Sequence, residues 1–237
     1  MNYDAFLEYI STTPLVWLLL TLSAFKIGII VYEKSNKNTL LQPIIVAYII
    51  ILCIIFLTNT QYEKYFESVK IINFFLGTAT VSLALPLYKN IKHIQSLILP
   101  MCITLIVAGI FSTLIAIFLL WICDAQIQTI LSMTTKSVTA PIAIITSEQI
   151  GAIPSLAISF IIITGILGAL VGNSIFTIIK IKHDTSKGFA LGMISHAIGT
   201  ARAIEISEKA GAFAALAMGL TGVFTALLLP IIIKVLQ

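Results

Sequence analysis

Charge is what this chain has least of. Only 10% of its 237 residues are Asp, Glu, Lys or Arg, against about 25% in a soluble domain. Hydrophobic residues make up 59% and the mean hydropathy is +1.07. So little polar surface cannot cover a water-exposed globule, and the composition implies an all-α polytopic membrane protein. Cysteine is scarce too. Cys53, Cys102 and Cys123 lie in or at the end of apolar runs without ligand spacing, and read as lipid-facing or packing residues, with no metal or disulfide. The amino-terminal stretch MNYDAFLEYI has no basic region, so the first apolar run is expected to remain as a span.

Catalytic patterns are missing as well. There is no phosphate loop, no His-x-x-x-His, and no serine with a plausible triad. Ser195 stands beside His196, but neighbours on a helix point in different directions. An enzyme is not expected, nor is a cofactor. The net charge of +4 is spread over short loops, so it speaks to membrane topology and not to nucleic acid.

What is present is a series of apolar runs. Pro14–Tyr32, interrupted by Lys26, and Gln42–Thr58 are the first two candidate spans. Lys26 is near enough to the end of its run to snorkel. Ser96–Cys123, Pro154–Ile179 and Ala212–Ile233 are plain spans. Between them lie three broken segments: Ile71–Tyr88, Ala125–Ile150 and Gly188–Gly211. The expectation is about five full transmembrane helices plus two or three broken or re-entrant segments, in one membrane domain over 1–237.

The second half repeats. A shift of sixty residues places Ser147, Glu148, Gly151 and Ala152 on Ser207, Glu208, Gly211 and Ala212. The repeat units are 125–182 and 186–236. Basic residues cluster in Glu33–Leu41, Lys89–His93 and Lys180–Lys187. The positive-inside rule is met by all three only if Ala125–Ile150 dips into the membrane and returns. The units would then form an inverted repeat, aiming Lys136 and Arg202 toward a common midplane.

Arg202, within SHAIGTARAIE, is the costliest residue in the chain, because a guanidinium is effectively always charged. It either holds an anionic solute through its planar fork or pairs with Glu205 on the same helical face. His196 either carries a coupling proton or is a hydrogen-bonded packing residue. Ser195 and Thr200 either donate to a carboxylate or bond back to their helix. Gly199 is the expected opening in that helix. In the matching cluster, Pro141 breaks the helix while Ser137 and Thr139 supply replacement hydrogen bonds. Lys136 is a second anion contact or an interfacial anchor. Glu148 and Glu208 are expected at segment ends in water, and Gly77 with Thr80 forms a third soft point.

Three segments carry a family resemblance: FLGTATVSLALPLYK at Phe75–Lys89, KSVTAPIA at Lys136–Ala143, and GFALGMISHAIGTARAIEISEKAGAFAALAMGLTGV at Gly188–Val223. The chain resembles the LrgB/CidB family of bacterial membrane proteins. It departs from the family's usual Gly-Pro-Ala at the first segment, where Thr78 follows Gly77. The resemblance implies a multi-pass protein of the bacterial cytoplasmic membrane, acting with a small LrgA/CidA-like partner in a homo- or hetero-oligomer. It implies two kinds of role. One is holin-like or antiholin-like modulation of murein hydrolase activity and autolysis. The other is transport of small carboxylates, since a plastid relative exchanges glycolate and glycerate and some bacterial relatives are associated with pyruvate uptake. The arginine and hydroxyls at broken helices favour the transport reading, with Arg202, Ser195, Thr200, Lys136, Ser137 and Thr139 contacting the solute.

Overall fold

A computed structural model describes residues 13–36, 38, 41–82 and 84–236. The side chains at 73, 76, 77, 79, 80, 86 and 236 are also outside the description. The stretch MNYDAFLEYI and Lys37 of the first basic loop therefore lie outside the described residues. Every regular element among the described residues is helical. The chain forms two compact units, divided after Ser82.

In the first unit, α1 (Pro14–Lys34) and α2 (Pro43–Leu57) pack against each other, followed by α3 (Tyr62–Ser68) and α4 (Lys70–Ser82). Proline opens both α1 and α2, where its missing N–H would have no partner in any case. Trp17 is fully buried, its ring 5.3 Å from Tyr65 of α3 in an edge-to-face contact. Gly28 lies against the backbone of Pro43, a separation that leaves no room for a side chain. The backbone of α4 runs as helix through Gly77, so no break is found there.

The second unit begins with the short helices α5 (Ala84–Lys89) and α6 (Ile91–Ser96). It continues with α7 (Ile98–Ile122), α8 (Ile127–Thr134), α9 (Ala140–Ile150), α10 (Pro154–Ile178), α11 (Asp184–Ile206) and α12 (Glu208–Leu236). Among the described residues, four helices are long and apolar enough to cross a membrane: α1, α7, α10 and α12. At about 1.5 Å per residue, the 25 residues of α7 or α10 reach the ~30 Å of a hydrocarbon core. The 15-residue α2 is a shorter apolar helix. Large apolar side chains such as Phe56, Phe111, Trp121 and Val235 are exposed along these helices, as lipid contact requires.

Two helical hairpins flank α10. The first is α8 and α9, joined by 135–139. Ser132 of α8 accepts a hydrogen bond from the Ile153 backbone N–H at 3.0 Å, just beyond the end of α9. Val138 at the turn packs deeper, against Ala157 and Ile161. The segment therefore enters and leaves on one side. The second hairpin is α11, which reverses at His196 (φ 42°, ψ −128°). Its outgoing limb runs alongside the start of α12, with Gly188 against the Ala210 carbonyl and Gly192 against the Ala214 carbonyl. Its returning limb brings Gly199 back beside Leu191. This hairpin opens toward the end of α10, where Phe176 packs with Leu191 and Ala203. The two hairpins thus enter from opposite ends of α10, which is the geometry of an inverted repeat.

Candidate functional site

Both hairpin tips converge on one turn of α10. Val138 of the first tip belongs to a buried cluster with Ala143, Ala157 and Ile161, and His196 Nε2 of the second tip lies 2.9 Å from the Ile161 carbonyl oxygen. A row of glycines on α10 makes the space. The His196 ring sits against Gly165, Ser195 against Gly168 and Leu191 against Gly172. The sixty-residue shift places Lys136 on His196, so the two tips correspond in the repeat as well as in space.

Lys136 is the buried cation at this depth, with 8% of its surface exposed. Its ammonium donates to Ser112 of α7, at 3.0 Å to Oγ and 3.4 Å to the carbonyl oxygen. Among the described residues no carboxylate lies within ion-pair distance of it. Ser137, next along, lines a cavity of about 300 Å³. Thr139 is the N-cap of α9, and Pro141 occupies that helix's first turn. The break thus precedes Pro141: a proline fits the first turn of a helix and only disrupts the interior.

The second tip differs from the sequence expectation in one respect. The backbone opens at His196 and not at Gly199, which stays helical. Gly199 serves closeness, since a Cβ there would strike the Leu191 carbonyl. His196 instead takes a positive φ, a conformation that costs on the order of 1–3 kcal/mol and needs support. Support comes from the Ile161 contact and from Thr200 Oγ1, which donates to the His196 carbonyl at 2.8 Å. Thr200 thus bonds back to its own helix. Ser195 Oγ is buried without a hydrogen-bond partner among the described residues, in the notch at Gly168.

Arg202 lies six residues beyond the tip, on the returning limb, and its guanidinium pairs with the Glu205 carboxylate. The arginine side chain is 11% exposed and the glutamate 41%. The two cations that the repeat was expected to bring together are therefore separated in depth. Lys136 stands at a tip, and Arg202 stands toward the mouth of its hairpin. Glu208 is exposed as expected, paired with Lys89 at 3.0 Å. Three residues escaped the sequence reading: Ser112, Met193 and Thr221. Single hydroxyls in an apolar run look like helix back-bonding, and nothing in the sequence marks these as different.

The fold and the tips define a polytopic helical membrane protein with paired re-entrant hairpins. The pattern of the LrgB-like family matches residues 21–235, and the chain belongs to that family. It is similar to a holin-like protein CidB of Staphylococcus epidermidis, 31% identical over 95% of this chain and 97% of the relative. It is also similar to an antiholin-like protein LrgB of Bacillus cereus, 29% identical over 92% of this chain and 95% of the relative. No solved structure shows significant similarity to the chain.

Proposed function

We propose that this chain is a holin-like or antiholin-like modulator of murein hydrolase activity and autolysis. It would act in the bacterial cytoplasmic membrane with a small LrgA/CidA-like partner, and without catalysing a reaction. The support is its similarity, over more than nine-tenths of its length, to relatives that carry those names.

A second reading is transport of small carboxylates of the glycolate, glycerate, lactate or pyruvate type. One observation favours it: a lysine at a re-entrant tip, buried against the Ser112 hydroxyl and with no carboxylate at ion-pair distance among the described residues. Burying a lysine at the bilayer centre costs roughly 2.5–3.5 kcal/mol on insertion scales, and such residues mark solute or ion pathways. On this reading Lys136 and Ser137 contact the anion, and Thr139 starts a helix whose positive end lies at the same turn. His196 would carry a coupling proton beside them.

Reconstituted vesicles separate the two. The holin-like reading expects release of trapped dye whatever its charge. The carrier reading expects saturable uptake of a labelled carboxylate, inhibited by unlabelled competitor, while dye stays inside. Vesicles tight to both would overturn each as an activity of this chain alone.

A further inference from the structure

Two cavities, each about 300 Å³, lie end to end between α7 and the α11–α12 pair. One follows α7 from Leu97 to Ser112 and reaches Thr185 at the start of α11. The other reaches Ile117 on α7 and Ile233 near the end of α12. Since α11 starts and α12 ends on opposite sides, the cavities point to opposite faces of the membrane. Ser112, Met193 and Ile194 line both. The Met193 side chain crosses between them: its methyl carbon lies 3.7 Å from where a Cβ on Gly109 of α7 would stand.

Ser112 is the polar side chain at that junction, and further hydroxyls line the second cavity within otherwise apolar walls. Ser112 Oγ holds the Lys136 ammonium at 3.0 Å. Ser137 and Thr221 line the second cavity, and Thr221 Oγ1 is buried with no hydrogen-bond partner among the described residues. We propose that this junction is the binding site for a small monoanion, held by Lys136 with Ser112, Ser137 and Thr221, and that Met193 is the barrier closing the passage between the two cavities. The proposal rests on the transport reading and gives it a site.

The chemistry follows from the groups. An ammonium has three donors, and Ser112 engages two of them. Lys136 itself lines neither cavity and stands behind Ser112, which lines both; in such poorly solvated surroundings a cation draws an anion far more strongly than it would in water. One cation neutralises one negative charge, so a dianion would carry an uncompensated charge into the membrane. Mostly apolar walls with a few convergent polar groups suit a small organic acid. Methionine is unbranched and has three rotatable bonds, so Met193 can swing aside without moving the backbone.

A thiol reporter tests this in the full chain. With Cys53, Cys102 and Cys123 changed to serine, Thr221→Cys places a thiol in the second cavity. In proteoliposomes, an anionic methanethiosulfonate should modify it about tenfold faster than a cationic one of similar size, as electrostatic focusing predicts. Lys136→Met should abolish that preference, and Lys136→Arg should retain it. Acetate or chloride should slow the anionic reagent. Met193→Ala should let reagent added on the side where α11 begins reach the thiol about tenfold faster. Each variant is first shown to elute as a single species in detergent, with Lys136→Arg the folded control for Lys136→Met. Equal rates for the two reagents, a preference indifferent to Lys136→Met, no modification at all, or no effect of Met193→Ala would overturn the proposal. Charge preference without carboxylate flux would sink the transport reading alone. Carboxylate flux without charge preference would sink the site alone.

Discussion

Arg202 is the residue whose presence in an apolar sequence most demands explanation, and the fold answers much of that demand locally. Its partner is Glu205, one helical turn on, and the pair sits toward the mouth of the second hairpin. With Glu205 more than a third exposed, solvent screens the pair, and its loss should cost about 1 kcal/mol or less. Arg202→Gln should therefore lower the thermal midpoint in detergent by only about 2–4 °C. If the vesicle assay detects carboxylate flux, the variant should keep more than half of it; loss of uptake in folded protein would restore the guanidinium as the solute contact. Lys136 is the opposite case, buried at a tip with two bonds to one serine. The charge of both residues was legible in the sequence. Their depths were not, because depth depends on where each hairpin turns.

At the scale of elements, the breaks were legible and their form was not. The polar stretches around Lys136 and His196 marked two interrupted segments, and both fold back as hairpins. The expected opening at Gly199 lies three residues earlier, at His196. Glycine's freedom suggests a break, but here the tight return of the limb needs its lack of a side chain. The same use of small residues joins α11 to α12. Gly188 and Gly192 face the carbonyls of Ala210 and Ala214, a small-x-x-x-small pairing that lets backbones touch. Gly192→Ala should cost about 1–3 kcal/mol by forcing these helices apart, measured as a lower thermal midpoint in detergent. Gly219→Ala, where a Cβ meets nothing within 4 Å, should be neutral or slightly stabilising. Equal effects from the two would show that the close approach does not govern the packing.

At the scale of the whole molecule, the second unit tests the topology that charge placement suggested. Lys89 pairs with Glu208 at the start of α12, and Lys180–Lys187 lies at the start of α11. Both basic stretches therefore fall on one face of this unit, while the loop after α9 falls on the other. The positive-inside rule assigns the basic face to the cytoplasm. Glu148→Cys and Lys182→Cys should accordingly label from opposite sides of intact cells or sealed vesicles, Lys182→Cys only from the cytoplasmic side. Labelling of Lys182→Cys from outside would invert the assignment, and labelling of both from one side would break the hairpin geometry.

The sequence by itself determined the solvent. With so little charge, only helices that satisfy their own backbone groups can bury this chain in lipid. It also marked two of the interrupted segments, around Lys136 and His196, through polar residues within apolar runs, and it carried the family pattern. Only the tertiary structure decided which interrupted segments turn back, which cation stands at a tip, and that Ser112 and Met193 meet there. Those outcomes depend on contacts between residues far apart in the chain. Glycines on α10 must receive the second tip, and Ile161 must receive both. Local pattern can mark a break, but only packing sets the direction in which the chain leaves it.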